Sequence, residues 1–124
     1  RESFRPFAPA ILSEYQRDFF EINQDSFHML IASKVKEDKK GTIPAVVHVD
    51  RSARVQTVNE NSNKKFYNLL KEFNNLTNIP VLLNTSFNVK GQPIVNNPRD
   101  AIETFKKTKI DVLSIGNFLL KKKN

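Results

Sequence analysis

The chain predicts an α/β or α+β domain built on a mixed sheet. Two stretches repeat apolar residues at helical spacing and carry capping residues at their starts. Short apolar runs of strand length lie around them. The longest polar loop follows directly on one of those runs. At 124 residues the chain is one domain, with room for a core that needs no disulfide or metal.

In chain order, residues 1–9 (RESFRPFAP) are too rich in proline for regular structure. Ile11 to Phe20 reads as a short helix, with Ile11, Leu12, Tyr15 and Phe19 on one side. Phe27 to Val35 has the apolar run of a strand, and Glu37 to Gly41 reads as an exposed loop. Ala45 to Asp50 and Arg54 to Val58 read as the two strands of a hairpin joined by Arg51-Ser52-Ala53. The first would alternate Val47 and Val49 with Val46, His48 and Asp50. Asn63 to Asn75 is the clearest helix, because Phe66, Leu69, Leu70 and Phe73 follow the i, i+3, i+4, i+7 pattern and Asn61, Ser62 or Asn63 can cap it. Pro80 to Leu83 is a short buried strand. Asn97-Pro98-Arg99-Asp100 is a helix start, with Asn at the N-cap, Pro at the first turn and an acid near the positive end of the dipole. Ala101, Ile102 and Phe105 give that helix its stripe. Val112 to Ile115 is a strand, Gly116-Asn117 a turn and Phe118 to Leu120 a last strand.

The chain has no cysteine, which removes thiolate nucleophiles, disulfides and Cys-type zinc sites. No run approaches the ~20 apolar residues that span a bilayer, and no signal peptide is visible. A cytoplasmic protein without a membrane partner is expected. The first residue is Arg1 rather than Met, which fits a fragment of a longer chain. Net charge is +7. Residues 1–62 hold nine Lys/Arg against nine Asp/Glu, and residues 63–124 hold eleven against four, so the second half supplies the whole excess. Lys106, Lys107, Lys109 and the closing Lys121, Lys122 and Lys123 read as a solvated helix end and a frayed tail, or as a patch for a polyanion.

Three segments offer polar groups suited to an oxygen-rich anion. Arg1 and Arg5 sit in a proline-stiffened stretch, and guanidinium groups bind phosphate and carboxylate bidentately. Two plain surface arginines are the alternative. His48 and Asp50 would project from one face of the first hairpin strand, with Arg54 and Gln56 sharing a face on the second. An ordinary polar hairpin face is the alternative there. A metal on His48 and Asp50 lacks a third ligand at suitable spacing. Asn84, Thr85, Ser86 and Asn88 follow the strand that ends at Leu83, with Phe87 expected to turn inward as an anchor. A turn built by Asn and Ser bonding their own backbone is the alternative. No phosphate-binding G-x-x-x-x-G-K-[ST] or G-x-G-x-x-G occurs. His28 lies in an apolar run and reads as structural. With no activated nucleophile visible, the chemistry left open is positioning and charge neutralisation, as in phosphoryl or adenylyl transfer.

RESFRPFAP, PAVVHVDRSARVQTV, PVLLNTSFNVKGQPIVNNPRDAI and DVLSIGNFLLKK, in this order, resemble the C-terminal domain of the O-carbamoyltransferases, the nodulation and antibiotic carbamoyltransferases among them. The resemblance covers nearly the whole chain. It implies a YrdC-like twisted open mixed sheet that binds ATP and carbamoyl phosphate and forms carbamoyl-adenylate with release of pyrophosphate. An N-terminal domain of the same full-length chain would then transfer the carbamoyl group to a substrate hydroxyl. Ser86-Phe87-Asn88 matches the family's S-x-N element, and Arg1 matches the Arg of its K-x-R element, with the Lys upstream. By this likeness Arg54, Ser86 and Asn88 are the candidate catalytic residues. Arg1, Arg5, His48, Asp50, Gln56, Asn84 and Thr85 are candidate substrate- or nucleotide-binding residues, and Asp50 is a conceivable contact for the Mg²⁺ that accompanies ATP. Where the family has Gly and Thr after His-Val-Asp, this chain has Arg51 and Ser52. A non-Gly residue matters there if the turn requires positive φ, and Arg51 would add a cation at the pocket rim. An RNA-binding module and a docking domain for the N-terminal partner are the alternative functions, and nucleic acid is not the expected partner.

Overall fold

The structure is a computed structural model that describes residues 6–123. The candidates Arg1 and Arg5 lie outside the described residues. The described residues form two compact units, 6–85 and 86–123.

The first unit is organised by a four-stranded sheet of order β2-β3-β1-β4. Its strands are β1 (Ala8–Leu12), β2 (Ile31–Lys34), β3 (Ser52–Val58) and β4 (Val81–Asn84). β1 runs parallel to β3 and antiparallel to β4, and β2 pairs antiparallel with β3. The sheet is therefore mixed and open, as expected.

β1 replaces the helix expected from Ile11. Ala10, Ile11 and Leu12 are wholly buried because β1 is an inner strand with a core on each face. Ile11 joins Phe20, Val35 and Val55 on one side, and Ala10 and Leu12 join Val58 and Leu70 on the other. A short apolar run cannot separate strand from helix by periodicity alone. Pro9 lies ahead of the β1–β3 register, which starts at Ala10. Helical backbone begins only after the strand, as a 3-10 helix at Ser13–Tyr15 and one turn of α-helix, α1 (Gln16–Phe19).

Two further expectations change. The strand read from Phe27 shortens to β2, with a turn over residues 27–29. The hairpin over Ala45–Val58 is absent: Pro44–Val46 is a 3-10 helix begun by its proline, and β3 takes β2 as its antiparallel partner. Val46 enters the core while Val49 is fully exposed, so alternating valines here mark two separate environments rather than two faces of one strand.

Helix α2 (Lys64–Thr77) starts at Asn63, whose side chain accepts the Phe66 N–H, and ends on Asn78 in the left-handed conformation. It buries Leu70 against β1, β3 and β4 and leaves Leu69 exposed, contrary to the expected stripe.

The second unit holds α3 (Pro98–Lys107) and the two-stranded β5 (Val112–Ile115) and β6 (Phe118–Lys121). Asn97 caps α3 by accepting from Asp100 N–H at 2.9 Å. The buried stripe is Ala101, Thr104 and Phe105. The closing residues are tied in: the Lys122 ammonium donates to the Thr108 carbonyl and lies 4.9 Å over the Phe105 ring. Among the described residues no helix is long and apolar enough to cross a membrane.

Candidate functional site

Period-2 alternation sorts the side chains of the sheet. Register places Ala10 beside Gln56 and Leu82, Leu12 beside Val58, and Ala8 beside Asn84. Arg54, Gln56 and Val58 of β3 therefore share a face with Leu82 and Asn84 of β4. α2 covers one end of that face, around Leu12, Val58 and Leu82. At the other end stand Arg54, Gln56 and Asn84.

Two of these are bonded to each other, and all three reach the turn over residues 27–29. The Asn84 amide donates to Gln56 Oε1 at 2.5 Å, and Gln56 Nε2 donates to the Phe27 carbonyl at 3.3 Å. The Arg54 guanidinium reaches the Met29 carbonyl at 3.4 Å, and the Asn84 amide lies 3.8 Å from the Met29 sulfur. The turn over residues 27–29 thus docks on the row through backbone carbonyls. Met29 has φ of 59°, a conformation that non-glycine residues adopt at a cost and that concentrates at functional sites. A cation on the same face as two oriented amides can hold an oxygen-rich anion.

His48 and Asp50 do not stand on a strand face beside Arg54. They belong to a tight turn in which Arg51 N–H donates to His48 O and His48 N–H to Ser52 O, both at 2.9 Å. Asp50 Oδ1 accepts the Ser52 N–H at 3.0 Å and the Ser52 hydroxyl at 2.6 Å. Those two bonds from Ser52, side chain first, hold the Asp50 carboxyl below its ordinary value. Asp50 thus works as a turn builder. Arg51 has φ of 69°, so this turn does take the positive φ that glycine supplies freely. Arg51 is not a loose cation: its guanidinium sits 2.7 Å from Glu37 and 3.7 Å from Glu21. Lys40 and Arg51 together hold the Glu37 carboxyl below its usual range.

Thr85 is exposed just beyond β4. In the second unit Ser86 is exposed and Phe87 half-buried. The Asn88 amide donates to the Gln92 carbonyl at 2.9 Å, and Val95 N–H donates to Phe87 O at 2.9 Å. Asn88 therefore fastens its own turn.

His28 is exposed in the turn that docks on Arg54 and Gln56, not buried in a strand. It lines a cavity of about 470 Å³ with Phe27, Gln56 and the turn that leads into α2. The asparagine-rich run before α2 was legible only as a set of caps. Among the described residues no group of three or more His, Cys, Asp or Glu could hold a metal ion.

The profile of the family described as Carbamoyltransferase C-terminus matches residues 1–122. The chain belongs to this family. This carbamoyltransferase C-terminal domain is 44% identical over 142 residues to an uncharacterized protein of Synechocystis sp., covering 98% of the chain and 23% of the relative. It is 42% identical to nodulation protein NolNO of Sinorhizobium fredii (99% of the chain, 18% of the relative). It is 41% identical to nodulation protein NolO of Bradyrhizobium diazoefficiens (99% of the chain, 23% of the relative). The chain thus spans about a fifth of the length of these curated relatives.

Proposed function

We propose that this domain binds ATP and carbamoyl phosphate and forms carbamoyl-adenylate, which the remainder of a longer carbamoyltransferase passes to a substrate hydroxyl. Family membership supports the reaction class. The observation that carries the binding assignment is the Arg54–Gln56–Asn84 row at the end of the sheet face that α2 does not cover. Arg54 supplies charge for phosphate oxygens, and the two amides fix direction. Ser86 and Asn88 enter as the S-x-N element assigns them, as donors to phosphate or carbamoyl oxygens. Arg1, Arg5 and Thr85 are binding residues in the same reading. His48 enters as a group that orients ligand.

Carbamoyl phosphate loses its phosphate to water. The resulting carbamate oxygen bonds to the α-phosphorus of ATP while the bond to the β-phosphate bridge breaks, and pyrophosphate leaves. The protein's part is alignment and neutralisation of the charge on the leaving group. Among the described residues the side chains do not fit a protein-held metal, because Asp50 is bonded to Ser52 and no group of three or more His, Cys, Asp or Glu could hold one. Mg²⁺ then enters with the nucleotide phosphates.

Isothermal titration of the protein with ATP and with carbamoyl phosphate tests this. Arg54→Ala should weaken both at least tenfold, about 1.4 kcal/mol. Asn88→Ala should weaken carbamoyl phosphate. Wild-type protein that takes up neither ligand, or Arg54→Ala that binds as tightly as wild type, sinks the assignment.

A further inference from the structure

The turn that docks on the row is firmly fixed at its ends and lightly held in the middle. At one end the buried Ser26 N–H donates to the Thr57 hydroxyl at 2.7 Å, and Thr57 N–H donates to Ser26 O at 2.8 Å. At the other end Ile31 opens β2 opposite Val55. The arch between these ends is residues 27–30. Among the described residues it reaches the row through three polar contacts. Gln56 Nε2 donates to the Phe27 carbonyl at 3.3 Å, Arg54 donates to the Met29 carbonyl at 3.4 Å, and the Asn84 amide lies 3.8 Å from the Met29 sulfur. Both N–H···O bonds are long against the usual 2.9–3.0 Å or so. His28 and Leu30 are exposed, so their side chains add no buried anchor.

The carbonyls of Phe27 and Met29 are acceptors. The arch thus offers Gln56 and Arg54 the same kind of group that the oxygens of an anion would offer. In the docked arch Met29 has φ of 59°. A Cβ makes that conformation costly in every residue but glycine, and most costly in β-branched residues. The docked arch therefore occupies donors of the row through weak bonds and carries backbone strain while it does so.

We infer that residues 27–30 form a strap that competes with an anion for Arg54 and Gln56 and lifts when one binds, with Met29 as the positioning residue that sets the balance. The inference rests on the anion assignment above and adds how access to that row is controlled.

Inorganic pyrophosphate, titrated by NMR, is the probe. At saturation the heteronuclear NOE of residues 28–30 should fall, while that of Ser26 and Thr57 holds. Three variants change the cost of the docked form. Met29→Gly removes the steric penalty and should weaken pyrophosphate about threefold or more. Met29→Val raises the penalty and should tighten pyrophosphate about twofold or more. Met29→Ala loses the sulfur contact but keeps a Cβ, and should stay within about twofold of wild type. A thermal melt verifies that each variant folds. Equal affinities of the Gly and Ala variants, with Arg54→Ala still weakening pyrophosphate, would overturn the strap and leave the anion assignment standing. That comparison holds even if Met29→Val does not fold. An NOE at residues 28–30 that saturation leaves unmoved overturns the strap in the same way. If neither wild type nor any Met29 variant binds pyrophosphate, the anion assignment fails and takes the strap with it.

Discussion

The two ends of one sheet face are made from the same strands and have opposite chemistry. Under α2, the neighbours are Leu12, Val58, Leu82 and Leu70. Two residues along β3 and β4 from Val58 and Leu82 stand Gln56 and Asn84, joined to each other, and then Arg54. The change coincides with the limit of the helix. Aliphatic side chains gain most where a helix excludes water, roughly 25 cal/mol per Å² of apolar area removed from it. Polar side chains in the same register avoid desolvation where no helix covers them. The position of α2 therefore decides which part of the face is core and which is available to a ligand. Stability and binding should separate along β3.

Removing the cover is the largest expected effect. Leu70 is wholly buried, the only residue of α2 that is. Leu70→Ala should cost about 3 kcal/mol, within the ~2–5 range for large-to-small core changes, seen as a lower denaturant midpoint at unchanged slope. Arg54→Leu, on the open end of the same face, should leave the midpoint within about 0.5 kcal/mol, as surface changes usually do. A midpoint for Arg54→Leu as low as that for Leu70→Ala would mean that the open end is core after all.

The helix that forms the cover has a start that can be weakened without touching the face. Asn63→Ala removes the acceptor for Phe66 N–H, 3.1 Å away, and should cost about 1 kcal/mol. Asn97→Ala removes the equivalent bond at α3, and should cost a similar amount in the second unit. Only the Asn63 change should raise hydrogen exchange at Leu12 and Val58. Equal effects of both variants on those amides would show that cover is not local to α2.

Which features could be read from the chain follows from how local their physics is. Asn63 and Asn97 were legible as caps because a cap bond spans three residues. β5 lay where its apolar run lies, and β4 was one residue out. β1 was misread because its identity depends on β3 and β4, both far along the chain, and its run is buried on both sides. Val47 and Val49 misled in the same way, since Pro44 and the pairing of β2 with β3 leave them no partner strand. Among the site residues, Arg54 and Gln56 were legible as sharing a strand face and Asn84 as part of a separate loop, but the bond between Gln56 and Asn84 spans 28 positions and no local pattern announces it. His28 reads as structural because an apolar run surrounds it, yet it is exposed. The left-handed Met29, which delays the start of β2 to Ile31, has no signature in composition.

The smallest effect concerns the outer edge of the cover. The Tyr67 hydroxyl on α2 donates to Glu14 Oε2 at 2.6 Å. That bond, helped by partial burial and the Glu14 charge, pushes the phenol up to about 12. Since the folded value lies above the ordinary one near 10, the protonated form is what folding favours. The contribution is complete below pH 10 and is lost as pH rises through 12. Melting temperatures of wild type and Tyr67→Phe should therefore differ at pH 8 and converge between pH 10 and 12. The lysines that titrate in the same range are common to both proteins and cancel in the difference. Melting temperatures that already coincide at pH 8 would assign the role of Tyr67 to its ring, which packs with Leu12 and Leu70 and which the Phe variant keeps, rather than to its hydroxyl, and α2 would then be held to the sheet by packing alone.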